Sequence, residues 1–405
     1  MSTLSHIRIL ELGQVIAGTW ADMILADLGA EVIKIEPPRG DLGRNPHVAY
    51  LKGESGLYIT MNRNKKSVVI DLKKPRGLEI FYDLVRKSDV VLDNFRPGAL
   101  ERLKADFETL SRINPRIVSG SVTGFGSHGP HRDMPSFDLI HQAITGHLSI
   151  TGQPGGPPAR NGIPLADLAS GLFLTHGVLA ALLARERTGR GQRVETSMFE
   201  VMTFLLSYDA TMYLNTGEIA RAWGTGHSFH VPWQAFESAD GWIVVATREE
   251  IFWQKFCAAI GLPELVDDPR YRTNLDRLAR REELVDKLQA RLKEQTTAYW
   301  LELFRRQEVP SAPVNDISQA LSDPTLTEHG GIVDVGDYGT AGPIRMLANP
   351  IHFSETPVPQ YAPPPLLGQH TRQVLSEVAG YDGPTIADLE AQSIVVSHET
   401  AAGVR

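Results

Sequence analysis

The sequence predicts an α/β protein with a largely parallel sheet, and three observations lead to this prediction. Short runs of β-branched and aliphatic residues alternate with segments of helical spacing through the first two hundred residues. The length of 405 residues is enough for two or three domains of the usual size of about 150 residues. With 42% apolar and 22% charged residues, the composition is that of a globular protein and excludes a disordered or fibrous chain.

The first strand is predicted at 7–12, a helix at 19–28 and a second strand at 31–36, which together form a βαβ unit. The alternation continues with further strands and helices of the same texture. Strands are predicted at 67–71, 90–94, 117–122 and 193–196, and helices at 76–86, 168–187 and 198–213. Because parallel neighbours need a crossover connection, usually a helix, this order indicates a parallel sheet.

The texture of the chain changes near residue 224, which predicts a second, smaller α+β domain at 224–314. A strand at 242–246 and a long charged helix with one apolar face are its main elements. A Pro-rich stretch then leads to a final helix at 371–378. We therefore predict that the large domain begins with 1–223 and is completed by the linker and returning chain at 315–405.

Net charge, cysteine content and the N-terminus restrict the class of protein further. The formal net charge of −8 disfavours binding to nucleic acid or to anionic lipid. The single cysteine, Cys257, excludes an intrachain disulfide and is interpreted as a buried apolar residue beside Phe256. The first residues lack the pattern of a secretory signal, and the apolar run at 168–184 is interrupted by polar residues and Gly. We expect a cytoplasmic protein that does not bind a membrane.

The string 13–18, Gly-Gln-Val-Ile-Ala-Gly, follows the first predicted strand and opens the first helix. A nucleotide pyrophosphate often binds at such a position in α/β proteins. A dinucleotide fingerprint requires Gly where this loop has Val15, so NAD binding is disfavoured. Glu36, at the end of the second strand, is accordingly interpreted as a solvated strand end.

Basic residues gather on loops next to predicted strands, which is informative in an acidic chain. Coenzyme A (CoA) carries a pyrophosphate and a 3′-phosphate, which several Arg and Lys side chains together would bind. Each residue alone is as readily a solvated surface residue, and only the set indicates a CoA site. The set comprises Arg39, Arg44, Arg63, Lys65, Lys66, Arg96 and Arg102.

Asp138 lies just before an apolar helical run and after the Gly-rich loop 124–130. Position alone favours a residue that caps the backbone amides of the helix. The alternative is a carboxylate nucleophile, desolvated and held where a helix start stabilises developing negative charge.

Six short strings follow one another along nearly the whole chain, at 13–18, 30–41, 94–98, 137–143, 189–192 and 365–370. Each string is weak alone. Together and in this order they resemble the family III CoA-transferases, the group of formyl-CoA transferase and carnitine CoA-transferase.

The resemblance implies a Rossmann-like large domain built from both chain ends, a small domain between them and an interlocked dimer of identical or paralogous chains. It also implies that Asp138 is the nucleophile and that Gln14 lies close to the reacting carbonyl. CoA thioesters are substrates in this chemistry, and no metal or other cofactor is expected. The predicted CoA-binding residues, from the resemblance and from the basic cluster, are Val15, Arg39, Lys65, Lys66, Asn94, Phe95, Arg96 and Arg102.

The implied reaction moves CoA from an acyl-CoA to a carboxylic acid through a mixed anhydride and an aspartyl-CoA thioester. Overall similarity points to the succinyl-CoA-dependent transferases for C4 and C5 dicarboxylates, and (S)-malate is our specific expectation. Arg160 is a weak candidate for binding the remote carboxylate. The run of glycines that covers the active site of formyl-CoA transferases retains only Gly224 and Gly226 here, so this loop is a further candidate for substrate contact.

Two alternatives remain open at this point. The related α-methylacyl-CoA racemases use a His-Asp pair, in which the His immediately precedes the acid aligned with Asp138; this chain has Phe137 there. Asp167 matches the second acid of the racemases, but the transferases share it, so we interpret it as a helix cap or a structural pair. The other alternative is a catalytically silent acyl-CoA-binding partner subunit, against which the retention of Asp138 with Gln142 and Ala143 argues.

Overall fold

The computed structural model describes residues 1–45 and 49–401 and has the predicted α/β architecture. The strands are β1 (Arg8–Glu11), β2 (Glu31–Glu36), β3 (Tyr50–Leu51), β4 (Glu54–Ser55), β5 (Lys65–Ile70), β6 (Val90–Asp93), β7 (Val118–Thr123), β8 (Arg193–Ser197), β9 (Trp233–Glu237), β10 (Trp242–Ala246), β11 (Ser311–Pro313), β12 (Ile332–Tyr338), β13 (Gly342–Leu347) and β14 (Val395–Val396).

The helices alternate with these strands in the first half of the chain. They are α1 (Ala17–Asp27), α2 (Gly56–Met61), α3 (Pro75–Val85), α4 (Ala99–Leu103), α5 (Phe107–Ile113), α6 (Asp138–Ile144), α7 (His147–Ile150), α8 (Leu165–Thr188), α9 (Met198–Leu205), α10 (Ser207–Thr216), α11 (Glu250–Ile260), α12 (Asn274–Ala279), α13 (Arg281–Leu292), α14 (Thr297–Arg306), α15 (Ile317–Leu321), α16 (Pro324–Glu328), α17 (Thr371–Glu377), α18 (Gly383–Ala391) and α19 (His398–Ala401).

The main sheet has the strand order β14-β5-β2-β1-β6-β7-β8. All neighbours from β5 to β8 are parallel, and only β14 is antiparallel. The direction in which strands are added reverses between β1 and β6, both of which are central in the sheet. In open α/β sheets a crevice forms at the carboxyl ends of the strands at this switch point, where ligands bind.

Apolar residues cover both faces of the sheet, as continuous apolar strands predict. Successive residues of a strand point to opposite faces, so Ile9 packs in one core and Leu10 in the other. The first core includes α1 and α8, and the second includes α3, α17 and α18. Each such buried side chain contributes roughly 1.5–3 kcal/mol to stability.

Helix α8 is the longest helix and bears directly on the site. It is long and apolar enough to cross a membrane by length and composition, and half of its apolar window is buried within the protein. The predicted buried helix is therefore buried on one side, while Leu183 on another is 71% exposed. A Cβ at Gly171 would lie only 2.7 Å from the Ala17 carbonyl oxygen, so glycine at this position allows α8 to approach the start of α1.

The chain divides into two compact units. The first comprises 1–147, 161–211 and 327–405, and the second comprises 148–160 and 212–326. The second unit has an antiparallel sheet in the order β11-β10-β9, and the three leucines predicted for the apolar face of α13, Leu284, Leu288 and Leu292, are fully buried in its core. The second unit extends beyond 224–314 at both ends, and it also takes in 148–160, where Gly152 accepts a hydrogen bond from the Gly224 amide.

Three local features differ from or complete the sequence-based description. The helix predicted at 198–213 is two helices, α9 and α10, because Ser207, the first residue of α10, adopts a left-handed φ of 51°. Helix α18 and strand β14 were not predicted. Cys257 is fully buried beside Phe256, which confirms its interpretation as a core residue.

Candidate active site

The carboxyl ends of β1 and β6 place two predicted site residues against each other at the switch point. The side-chain oxygen of Asn94 accepts a hydrogen bond from the Gln14 amide at 2.9 Å, and its nitrogen donates to the Gln14 carbonyl at 2.7 Å. Asn94 follows β6 directly, and Gln14 lies in the loop between β1 and α1. The side chain of Asn94 therefore fixes the backbone on which the Gln14 side chain is presented.

Asp138 is the first residue of α6 and is half-buried. One of its carboxylate oxygens accepts a hydrogen bond from the Ala166 amide at 2.9 Å. The other accepts one from the Gln142 side-chain nitrogen at 2.7 Å. Neither bond comes from a backbone amide of α6, so Asp138 does not cap its own helix. Its carboxylate is instead oriented by two donors, one of which is the second residue of α8.

The Ala166 amide belongs to the first turn of a helix of 24 residues. Amides of the first turn have no partner within the helix, and the helix dipole places partial positive charge there. Both effects favour a carboxylate at this position. They would equally stabilise an oxygen of Asp138 that gains negative charge during a reaction.

Gln142 is a site residue to which the sequence reasoning gave no role. It is 1% exposed, and its oxygen accepts a hydrogen bond from the Asn161 amide at 2.8 Å while its nitrogen holds Asp138. The sequence could have indicated this role, because Asp138 and Gln142 are four residues apart, and residues four apart on a helix are neighbours. The Ala166 donor had no comparable signal, since it lies 28 positions beyond Asp138 in the chain.

Two ionisable groups next to Asp138 have displaced pKa values. Burial, with the Asp138 charge as the second cause, raises the pKa of Asp167 to about 7. Burial lowers the pKa of His141 to about 4, and its Nε2 lies 2.6 Å from the Ser136 hydroxyl. His141 is therefore neutral and structural at physiological pH, whereas Asp167 is partly protonated beside the candidate nucleophile.

A chain of contacts relates Asp138 to the Gln14 loop. Ala166 binds Asp138, and Gly171, five residues further along α8, lies against Ala17 at the start of α1. Five residues of α-helix span about 8 Å. Gln14 lies three positions before Ala17, so both candidate catalytic residues belong to the same end of α8.

Three of the predicted phosphate-binding residues, Arg39, Arg96 and Arg102, are exposed. Among the described residues, no carboxylate lies within ion-pair distance of any of them. Exposed guanidinium groups without a carboxylate partner remain available for phosphate. Arg96 and Phe95 also line a cavity of about 270 Å³ at the ends of β6 and β7. At this cavity, Asp93 is fully buried, and the burial raises its pKa to about 7.

The structure places other members of the basic cluster in internal ion pairs. Lys65 is 4% exposed, and its ammonium lies 2.8 Å from Glu11 and 2.9 Å from the Thr19 carbonyl. This position removes Lys65 from the candidates for phosphate binding. Lys66 is half-buried and lies 2.6 Å from Glu31, so it also has a carboxylate partner of its own.

Two more basic residues of the cluster likewise form ion pairs with acids of the same chain. Arg63 pairs with Asp27 at 2.6 Å, and Arg44 pairs with Glu36 at 2.6 Å. The interpretation of Glu36 as a solvated strand end is wrong, because this side chain is 1% exposed. Although burial opposes ionisation, Arg44 holds the pKa of Glu36 below its ordinary value.

The weaker substrate candidates Arg160, Gly224 and Gly226 belong to the second unit. Arg160 is exposed. Gly224 has a left-handed φ of 64°, donates its amide to the Gly152 carbonyl at 2.7 Å and would bring a Cβ within 2.9 Å of the Gln153 side chain. Gly226 closes a tight turn onto the Trp223 carbonyl at 2.9 Å. The local backbone geometry thus accounts for the presence of glycine at both positions.

Comparison with known proteins identifies the family. The model of CoA-transferase family III matches residues 4–371. The chain is 38% identical to succinyl-CoA:glutarate CoA-transferase of Mus musculus over 401 residues, which cover 99% of this chain and 92% of that protein. It is 36% identical to succinyl-CoA:mesaconate CoA-transferase of Haloarcula hispanica over 385 residues, covering 93% and 96%.

A solved structure agrees with these sequence relationships. The crystal structure of a CAIB/BAIF family protein from Brucella suis has a TM-score of 0.83 and 31% identity, and the match covers 93% of this chain and 99% of that chain. The similarity thus extends over both compact units in sequence and in fold. The chain belongs to CoA-transferase family III.

Proposed function

We propose that the protein transfers CoA from succinyl-CoA to a dicarboxylate of four or five carbons, with Asp138 as the nucleophile. The observation that carries the proposal is the carboxylate of Asp138, held by the Ala166 amide and the Gln142 side chain at the start of α8. Such an arrangement positions one oxygen for attack and offers fixed donors to the charge that develops afterwards.

In the first half-reaction, an Asp138 oxygen attacks the thioester carbonyl of succinyl-CoA and expels the CoA thiolate, which leaves a mixed anhydride. The thiolate then attacks the Asp138 carbonyl and releases succinate, so that Asp138 carries CoA as a thioester. In the second half-reaction, the acceptor carboxylate attacks this thioester and frees the thiolate. The thiolate attacks the acceptor's carbonyl, which restores the Asp138 carboxylate and yields the new acyl-CoA. Atoms and charge balance without a metal or a redox cofactor.

The remaining predicted residues divide into two groups in this mechanism. We assign Gln14 to the oxygen of the reacting thioester, since Asn94 fixes its backbone at the switch point. The phosphates of CoA would bind to the exposed Arg39, Arg96 and Arg102, with Val15 and Phe95 beside the pantetheine. Lys65 has no part in this assignment because it is buried.

The names of the related enzymes support a dicarboxylate acceptor. Glutarate and mesaconate, the acids in the names of the mouse and Haloarcula relatives, both have five carbons and two carboxylates. We keep (S)-malate as the specific acceptor and treat the five-carbon acids as its competitors. A panel of (S)-malate, glutarate, mesaconate and the monocarboxylate butyrate, each with succinyl-CoA, decides among them by mass spectrometry of the acyl-CoA products. Preferred use of butyrate would refute a dicarboxylate site.

The covalent step has a direct test. Incubation with succinyl-CoA alone should attach CoA, with loss of water, to the peptide that contains Asp138. Asp138→Asn should abolish both the adduct and CoA exchange. The control is Asp133→Asn, an exposed carboxylate five residues upstream, which should behave as the wild type. CoA exchange that persists in Asp138→Asn would overturn the mechanism. Loss of an α-proton of the acyl-CoA to deuterated water, without any CoA exchange, would favour the racemase.

We further propose that the protein works as a dimer. Apolar side chains remain uncovered in the single chain; in the first unit, Phe204 is 72% and Leu183 71% exposed. Exposed apolar surface on this scale is typical of protein interfaces. Light scattering of the purified chain should give twice its mass. A monomer would instead indicate that a different, paralogous subunit completes the assembly.

A further inference from the structure

The turn formed by Gly13, Gln14 and Val15 has an unusual backbone conformation. Val15 has a φ of +68°, in the left-handed region. For a β-branched residue this conformation is strongly disfavoured, because the side chain crowds its own backbone. Such a residue keeps a left-handed φ only where its surroundings enforce it, and these places are often functional sites.

Side chains from two further elements hold this turn in addition to Asn94. The Lys34 ammonium, from β2, donates to the Gly13 carbonyl at 2.8 Å. The Asp41 carboxylate accepts from the Val15 amide at 3.2 Å and from the Gly43 amide at 2.7 Å. Lys34 and Asp41 are joined to each other by an ion pair of 2.7 Å. Every residue of the turn is thus bound by a side chain from outside it.

The ion pair is buried, which makes it stiff. Lys34 is 1% and Asp41 3% exposed. A second pair adjoins it, since the Glu11 carboxylate lies 2.7 Å from Lys34 and 2.8 Å from Lys65, and the two lysines and two acids together balance in formal charge. Although burial opposes both charges, the charge of Glu11 and then that of Asp41 raise the pKa of Lys34, and the charge of Lys34 lowers the pKa of Asp41. Separating such a pair leaves a buried charge uncompensated, so the pair resists displacement.

We propose that Lys34 and Asp41 are positioning residues, which hold Val15 in its left-handed conformation and thereby aim the Gln14 side chain at the reacting carbonyl. The inference rests on the proposed role of Gln14. It assigns a structural role to two residues of the string 30–41, Lys34 and Asp41, neither of which is predicted to contact the substrates. Val15 supplies the strain in this arrangement, and the ion pair supplies the restraint.

The test removes both charges together, in the variant Lys34→Met/Asp41→Leu, so that no unpaired charge replaces the pair and no side-chain oxygen remains to accept from the Val15 amide. Its crystal structure should show Val15 at a negative φ. Its kcat should fall by about 10- to 100-fold, as expected if relief of the strain of one left-handed residue moves the turn. Adding Val15→Gly should restore most of this loss, because glycine adopts a left-handed φ without cost.

The matched control is Arg185→Met/Asp89→Leu, which removes another ion pair of the first unit, 3.0 Å long, between the buried Arg185 and the half-buried Asp89. Asp89 precedes β6, so this pair lies at the opposite end of the sheet from the turn. We expect a lower melting temperature but an unchanged kcat per folded molecule. Should the first variant not fold, Asp41→Ala alone removes the acceptor of the Val15 amide and leaves Lys34 paired with Glu11, so it permits the same measurements.

The outcomes separate this inference from the proposed function. A folded variant in which Val15 stays near +68° would overturn the inference, whatever the activity. So would an equal loss of kcat in the control, or no rescue by Val15→Gly. A wild-type protein that exchanges no CoA would contradict the proposed function, while the Val15 torsion would still decide whether Lys34 and Asp41 hold the turn.

Discussion

Asp167 links the site to the pH dependence of stability. Its pKa in the folded protein is about 7, against an ordinary value of 3.8. The folded state therefore holds this proton more tightly than the unfolded chain. The resulting stabilisation is complete below about pH 4 and is lost as the pH rises through 7. Asp167→Asn is neutral at every pH and should not show this loss.

The size of the effect follows from the interval between the two pKa values. At about 1.4 kcal/mol per pH unit, the full interval corresponds to about 4 kcal/mol. The part above pH 5 amounts to about 3 kcal/mol, which partial exposure of the side chain reduces to about 2 kcal/mol. In a domain of this size, 1 kcal/mol shifts the melting temperature by about 2 °C. The melting temperature of Asp167→Asn, relative to that of the wild type, should therefore rise by about 4 °C between pH 5 and pH 8.

Calorimetry of both proteins at pH 5, 6, 7 and 8 measures this gain. The Asp138 charge is the second cause of the raised pKa, so the gain should be smaller when the comparison is repeated in the Asp138→Asn background. A difference in melting temperature that stays constant from pH 5 to pH 8 would refute the reasoning, because it would mean that Asp167 titrates alike in the folded and unfolded states.

Two further predictions concern one residue of the site and one of the second unit's core. Gln142→Leu should lower kcat by about 10- to 100-fold, because it removes a hydrogen bond to the charged Asp138. The control is Gln373→Leu, which breaks an exposed hydrogen bond between an amide and a carboxylate four residues apart on a helix and should leave kcat unchanged. Equal rates for both variants would show that Gln142 does not orient the nucleophile. Cys257 is fully buried, and burial raises the pKa of its thiol, so a disulfide reagent should label it only after unfolding; stoichiometric labelling of the folded protein at pH 8 would contradict its place in the core.

The sequence predicted the parts of the fold that depend on local pattern. Strand β10 has its predicted bounds, and the leucines on one face of α13 are buried as their helical spacing indicates. Asp138 could be selected as a candidate because its string follows the others in family order. These features depend on residues close together in the chain, which a pattern can describe.

The parts that could not be predicted depend on contacts between distant residues. Lys65 and Arg39 are both cations near strand ends, yet Lys65 lies against Glu11 inside the protein and Arg39 is exposed. Nothing in the spacing of Lys65 indicates that a carboxylate from another strand neutralises it. Glu36 was misinterpreted for the same reason, since its partner Arg44 extends from a separate segment.

The last strand, β14, has a consequence for biosynthesis. It pairs antiparallel with β5 at the outer edge of the main sheet, yet it begins at residue 395, long after β8, the preceding strand of this sheet in chain order, ends at residue 197. A ribosome must therefore make all the other strands of this sheet, and then many further residues, before this edge can close. Until then β5 presents open backbone groups that can recruit a strand from another molecule. A nascent chain arrested or cleaved shortly before residue 395 should consequently aggregate, although every residue of the candidate site has already been made.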